Sequence, residues 1–180
     1  MTTLLYVLDL FNNLFSDQIP HWIGNFSSLS VLLKSNNHLE GGIPIQLSNM
    51  EDLRFLDIFE NRLSGSIASS TNLSSVEHLY MQKNAFSGSL PNAFFRSSAL
   101  VILNLRENKF SGSIPNEIED VLSNLIFLLL AGNRLEGHIP HELCRLKNKS
   151  ILDLSRNKLN GLVPSCFTIM LFWTEEFENK

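Results

Sequence analysis

The sequence predicts an α/β solenoid, a curved stack of about seven 24-residue turns with a parallel sheet on its concave face. Three observations carry this expectation. An apolar triplet spaced three and two apart is followed by Asn, then Leu or Phe, then Gly, then Ile-Pro, most clearly at Leu100, Leu103, Leu105, Asn108, Phe110, Gly112, Ile114 and Pro115. The asparagine recurs at Asn13, Asn37, Asn61, Asn84, Asn108, Asn133 and Asn157, in steps of 23 to 25 residues. A unit of that size cannot bury its own apolar face, so neighbours must stack and function must be sought on a surface rather than in a single pocket.

Each position in the turn has a physical reason. Leu103-Asn104-Leu105 alternates with the period of a short strand that has one face inward. Stacking such turns pairs the strands in parallel, about 4.8 Å apart. The recurring Asn turns inward, where its amide can both donate to and accept from backbone that has left regular structure. This ladder is therefore structural. Gly41, Gly65, Gly88, Gly112, Gly137 and Gly161 form a column that needs φ above zero or close backbone approach, with Asp17 in that place in the first turn. Ile-Pro follows at Ile19-Pro20, Ile43-Pro44, Ile114-Pro115 and Ile139-Pro140; Leu90-Pro91 and Val163-Pro164 are variants, and Ile67-Ala68 lacks the proline. Pro presets an extended turn there. Two lysines break the pattern: Lys34 stands at the third inward leucine, where burial should strain the turn, and Lys149 at a first leucine, where its stem can snorkel. One residue is missing between Ala68 and Val76 and one is gained between Pro115 and Leu125, both expected on the convex side.

Composition excludes several functions. Lys and Arg number 14 against 18 Asp and Glu, a net charge of −4 with both signs scattered, so nucleic acid is not an expected partner. The longest apolar stretches, Leu125 to Ala131 and Phe167 to Trp173, are shorter than the roughly 20 residues a bilayer span needs. Met1 to Leu10 imitates a signal peptide but lacks a basic flank, and Leu5, Leu8 and Leu10 fit the repeat register, so this stretch is read as the first turn. No separate N-terminal cap precedes it, and the array reads as a piece of something longer. There is no G-x-S-x-G, H-E-x-x-H, phosphate-loop or kinase signature, and the five histidines (His21, His38, His78, His138 and His141) are scattered over different repeat positions. Neither catalysis, a cofactor nor a metal site is expected. Cys144 and Cys166 lie 22 residues apart on successive turns, where their backbones could approach within the roughly 4.4–6.8 Å a disulfide requires. Their repeat offsets differ by two positions, and two small buried hydrophobes are the equal alternative.

The pattern LxxLxLxxNxLxGxIP resembles the plant-specific class of leucine-rich repeats, over nearly the whole chain. The segment from Glu142 to Trp173 looks like the stretch that precedes the non-repeat island in plant receptor-like proteins. The resemblance implies a right-handed superhelix, with a repeat array over residues 1–166 and a tail over 167–180 that begins the island. It further implies the extracellular region of a cell-surface protein, membrane-anchored in its full form, that perceives a peptide or protein ligand in defence or development while a co-receptor kinase supplies signalling. Two rival readings are a secreted inhibitor of microbial cell-wall-degrading enzymes and a truncated product without independent binding.

The concave strand positions are where a ligand would touch. Turn seven presents Asp153, Ser155 and Arg156, close to the small polar filling usual in the family it resembles. Turns three to five instead present Phe55, Asp57, Phe59 and Glu60, then His78, Tyr80, Gln82 and Lys83, then Asn104, Arg106 and Glu107. Large aromatic and charged groups on adjacent turns form a patch of the composition found at binding hot spots. The expected ligand-binding set is Phe55, Phe59, Glu60, His78, Tyr80, Gln82, Lys83, Arg106 and Glu107. The competing reading is that the rings only stack along the sheet. Sequons at Asn25, Asn72 and Asn148 lie shortly before the next strand, away from these concave positions, as suits a glycosylated protein of the secretory route.

Overall fold

The computed structural model describes residues 4–95, 97–116, 124–146 and 150–167. Asn148, Lys149 and the tail beyond Phe167 lie outside the described residues. Twelve short strands run in chain order: β1 (Val7–Asp9), β2 (Val31–Leu33), β3 (Phe55–Asp57), β4 (Ser64–Ser66), β5 (His78–Tyr80), β6 (Ala85–Ser89), β7 (Ile102–Asn104), β8 (Lys109–Gly112), β9 (Phe127–Leu129), β10 (Arg134–His138), β11 (Ile151–Asp153) and β12 (Lys158–Asn160). The first sheet is the expected one. It is seven-stranded and parallel, in the order β1-β2-β3-β5-β7-β9-β11, with Leu32, Leu56, Leu79, Leu103 and Leu128 in register at the strand centres. These leucines are buried to 1% exposure or less, and each contributes about 1.5–3 kcal/mol of transfer free energy.

A second parallel sheet, β4-β6-β8-β10-β12, was not foreseen. It forms just past the asparagine column, where Gly65 pairs with Phe86 and Gly88 with Phe110. Ser- and Gly-rich segments such as Ser64-Gly65-Ser66 have low strand propensity. Their pairing is imposed by the stacking of turns, which brings chain of the same conformation alongside itself. The glycine column has φ between 72° and 85°, and Asp17 has φ 67°, as the spacing predicted.

The connections are short 3-10 helices at His21–Asn25, Ile45–Asn49, Asn92–Phe95 and His141–Arg145, each directly after a proline. Pro20, Pro44 and Pro140 hold φ at −72°, −69° and −60° and supply the carbonyl that accepts the first helical bond. After Ile67-Ala68, which lacks the proline, no such helix forms and the chain closes a single turn from Thr71 N to Ala68 O. The shortened segment between Ala68 and Val76 lies outside both sheets.

The asparagine column joins one turn to the next. Asn108 Nδ2 donates to Met81 O on the preceding turn at 3.0 Å and to Leu105 O and Arg106 O on its own turn at 3.2 Å each, while its Oδ1 accepts from Phe86 N at 3.1 Å. Asn37, Asn61, Asn84, Asn133 and Asn157 repeat the scheme. The residue just before each asparagine lies in the left-handed region: Asn12, Asn36, Glu60, Lys83, Glu107 and Arg156 have φ between 52° and 55°, and Gly132 φ 70°. That column was missed because its occupants are mostly charged residues, which do not advertise the conformation.

Candidate functional site

Strand alternation sends the outer residues of the first sheet outward in four columns. β3 and β5 align Phe55 with His78 and Asp57 with Tyr80, and β7 continues with Ile102 and Asn104. Just beyond the strands, Phe59 stands level with Gln82, and Glu60 with Lys83, through the backbone bonds Ile58 N to Tyr80 O and Glu60 N to Gln82 O.

The rings meet. Phe55 stacks on His78 with centroids 5.4 Å apart and 28° between planes, and lies 5.4 Å from Tyr80 at 35°. Phe59 is half-buried and has no ring partner among the described residues. Asp57 is half-buried at the centre of this group. It accepts from Ser35 Oγ at 3.0 Å and from Phe59 N at 3.2 Å. Burial pushes its carboxyl above the ordinary carboxylate value; those two hydrogen bonds oppose the rise and the nearby charge of Asp9 adds to it. Burial raises the Tyr80 hydroxyl too, and the charge of Asp57 raises it further. Gln82 keeps its amide oxygen buried with no hydrogen-bond partner among the described residues. Asp57 was visible in the sequence only as one more concave residue; nothing in the sequence marked its desolvation, at a place level with Leu33 on one side and Tyr80 on the other.

The charged members of the expected set are engaged elsewhere. Lys83 Nζ lies 3.5 Å from Glu60 Oε2, with both side chains about half exposed. Arg106 Nε donates to Asp153 Oδ2 at 2.9 Å, and Arg156 Nη2 to Glu107 Oε1 at 3.0 Å. Both pairs join turn five to turn seven and pass over turn six, where Ala131 and Gly132 stand. Gly132 is the one glycine in a column whose other members hold positive φ without it; an added Cβ would lie 3.3 Å from Glu107 Cγ and 3.4 Å from Arg156 Nη2, so the glycine leaves room for the two pairs. For Asp153, burial alone would raise the carboxyl; hydrogen bonds from Ser155 and Arg106 outweigh it and hold it below the ordinary value.

Lys34 is 6% exposed, its pKa lowered by burial, and it has no ion-pair partner among the described residues. It belongs to the interior and not to the site. Cys144 and Cys166 are joined by a disulfide with Cα atoms 5.7 Å apart. The two-position difference in repeat offset is absorbed because Cys144 sits in a 3-10 helix and Cys166 in the turn after Pro164. Asn25 and Asn72 are exposed away from the first sheet. Among the described residues no three His, Cys, Asp or Glu side chains stand where they could share a metal ion, and no helix is long and apolar enough to cross a membrane.

A family model described as Leucine Rich Repeat matches residues 4–26, 75–97, 99–121, 124–146 and 150–170. The chain is 34% identical over 159 residues to Receptor-like protein 32 of Arabidopsis thaliana, a match that covers 88% of this chain and 18% of that protein. Thus it spans less than a fifth of that relative's length. Among solved structures it superposes on the plant peptide hormone receptor RGFR1 in complex with RGF2 with TM-score 0.86 at 36% identity, over 91% of this chain and 26% of that one. It superposes on the Arabidopsis receptor kinase HAESA, solved with the peptide hormone IDA and the co-receptor SERK1, with TM-score 0.85 at 34% identity, over 92% and 28%. Stacked turns, an asparagine ladder and a repeat model that matches most of the length lead to one assignment: the chain belongs to the leucine-rich-repeat family, in the form carried by plant receptor ectodomains.

Proposed function

We propose that this chain is part of the extracellular recognition surface of a plant receptor-like protein, and that it works by binding an extracellular peptide or protein without catalysis. The observation that carries the reading is the half-buried cluster of Phe55, His78 and Tyr80 on the outer face of β3 and β5 with Phe59 just beyond β3; turn seven has Asp153 and Ser155 at the places of Tyr80 and Phe59. Rings of this kind, held rigid by a stacked sheet, offer contact area at little entropic cost. The stacking of Phe55 on its neighbours does not compete with this role, since it fixes the rings in place before any ligand arrives. Two structural neighbours, RGFR1 and HAESA, were solved with peptide hormones bound, which supports the same class of ligand here. A co-receptor kinase would complete signalling, as the SERK1 in the HAESA complex suggests. The whole protein would act at the cell surface and carry glycans on Asn25, Asn72 and Asn148, of which Asn25 and Asn72 are exposed away from the first sheet.

The test is to screen secreted plant peptides and proteins against the immobilised glycosylated chain, and to repeat the screen with Phe59→Ser and Tyr80→Ser combined. Binding that vanishes in the double variant while circular dichroism is unchanged supports the concave patch. Binding indifferent to both changes refutes it.

A further inference from the structure

We propose that the patch on turns three and four is a receptor for an arginine side chain, with Asp57 as the carboxylate that pairs with it and Phe59 and Tyr80 as the rings that flank it. The proposal rests on the recognition role given above and names the chemistry of its ligand.

Three observations converge. First, Asp57 is a half-buried carboxylate with no cation within ion-pairing distance among the described residues. The cations around it are committed: Arg54 to Glu77, Arg62 to Glu40, Lys83 to Glu60 and Arg106 to Asp153. Lys34 meets Asp57 only through backbone, Lys34 N to Asp57 O at 2.7 Å, because it is in register with Ile58 on the inward side. The side-chain charge that acts on Asp57 is that of Asp9, which repels. A desolvated carboxylate left in that state is unfavourable until a cation reaches it.

Second, the surroundings suit a planar cation better than a compact one. Tyr80 is level with Asp57, and Phe59 follows two residues on. Phe55 is stacked against His78 and Tyr80, while Phe59 is half-buried and has no ring partner among the described residues. Guanidinium stacks on aromatic faces, loses water more readily than an ammonium and stays charged, whereas lysine offers a strongly hydrated point charge. Third, the Gln82 amide oxygen, one turn along and level with Phe59, is buried and accepts no hydrogen bond. A guanidinium has five N–H groups, enough to bond a carboxylate with two and to serve this acceptor once the half-buried Gln82 side chain turns outward. Ser35 and the Phe59 amide already hold Asp57 in place. Its negative charge alone awaits a partner.

The probe is an array of short peptides with randomised flanks and a fixed centre of Arg, Lys, citrulline or Glu, applied to the folded glycosylated chain at neutral pH. Citrulline keeps the shape of arginine without its charge. The expected result is retention of Arg-centred peptides about tenfold or more above citrulline-centred ones, with Lys between, as for a charge-assisted pair. Asp57→Asn, which keeps an oxygen to accept from Phe59 N and can donate its amide N–H to Ser35 Oγ instead of accepting from it, should bring the Arg and citrulline sets level with an unchanged unfolding midpoint or a raised one. Glu60→Gln, which removes an exposed charge already paired, should leave the preference in place. An Arg preference that survives Asp57→Asn, or no preference in the wild-type chain, overturns the proposal. If peptides are then still retained and are released by Phe59→Ser with Tyr80→Ser, the recognition reading stands while the arginine site falls. No retention of any peptide set sinks both.

Discussion

Asn108 offers the most direct test of what holds one turn to the next. Replacing it with Ala removes four hydrogen bonds at a residue that is 8% exposed. The four losses are unequal. Leu105 O still accepts from Asn133 Nδ2, Met81 O from Asn84 Nδ2, and Arg106 O from Lys83 N. Phe86 N–H has no substitute, because the Asn108 oxygen is its one acceptor and Phe86 itself is fully buried. An orphaned buried N–H costs about 1–3 kcal/mol, and three shared carbonyl bonds add about 0.5 kcal/mol each, so Asn108→Ala should destabilise by about 2.5–4.5 kcal/mol. Asn13 is the control: exposed, it bonds only Leu10 O and Phe11 O on its own turn, and Asn13→Ala should cost under about 1 kcal/mol. Asn108→Asp keeps the acceptor for Phe86 but turns an oxygen toward three carbonyl oxygens, and should be worse than Ala at neutral pH. Its carboxyl would titrate above the unfolded value of about 3.9, so stability should return as pH falls through that raised pKa. Urea unfolding gives the free energies, and hydrogen exchange at Phe86 N–H locates the damage. Equal losses at Asn108 and Asn13, or no acid recovery of the Asp variant, would refute the reasoning.

Four further outcomes follow from the same geometry. Lys34→Leu should raise the unfolding free energy by about 1–2 kcal/mol, since it replaces a buried unpaired amine with the leucine the register calls for; a lower midpoint would contradict that register. Cys144→Ser with Cys166→Ser opens a loop closed across 22 residues and should cost about 3 kcal/mol, with proteolysis appearing first after His141; cleavage elsewhere would show that the bridge does not hold the last described turn. Gly132→Val forces a β-branched residue to φ 70° and pushes on Glu107 and Arg156, so a loss of about 2 kcal/mol should appear in denaturant melts, and an unchanged melt would mean that the two charged pairs do not need the gap. Between neutral and mildly acid pH the wild-type chain should gain a little stability, because Asp57 binds its proton more readily folded than unfolded; at lower pH it should lose stability as Asp153, whose folded pKa lies below its unfolded one, gives up Arg106. Asp57→Asn should erase the first limb and leave the second.

The sequence carried the fold through its spacing, because every column that packs inward or crosses between turns recurs with a single residue type. Asn is invariant in its column and the inward columns are apolar at nearly every turn, Lys34 and Lys149 excepted, for reasons local to one turn. What escaped was everything that depends on two turns at once. The second sheet has strands such as Ser64-Gly65-Ser66, whose pairing arises only when a neighbour lies alongside. The pairs Arg106–Asp153 and Glu107–Arg156 skip a whole turn and exist because Ala131 and Gly132 leave room, a condition invisible to a reading that compares only adjacent turns. Asp57 was legible as a concave residue, but its lack of a cation required knowing where Arg54, Lys83 and Arg106 had gone.

That distribution of charge divides the concave face into two regions with different capacities. On turns five to seven, Arg106, Glu107, Asp153 and Arg156 satisfy one another across the sheet, and a ligand that engaged any of them would first have to break a pair whose members are already hydrogen-bonded. Such pairs are worth little to stability when partly exposed, yet they level the surface potential and leave nothing unmet. On turns three and four the opposite holds. Asp57 and the Gln82 oxygen carry unmet hydrogen-bonding or charge demand, beside the rings of Phe55, His78 and Tyr80 that stacking already positions. Binding free energy comes from the difference between bound and free states, so the region whose free state is unsatisfied has the more to gain. Recognition on this chain should therefore centre on turns three and four, with turns five to seven as a rigid, internally neutralised platform beside it.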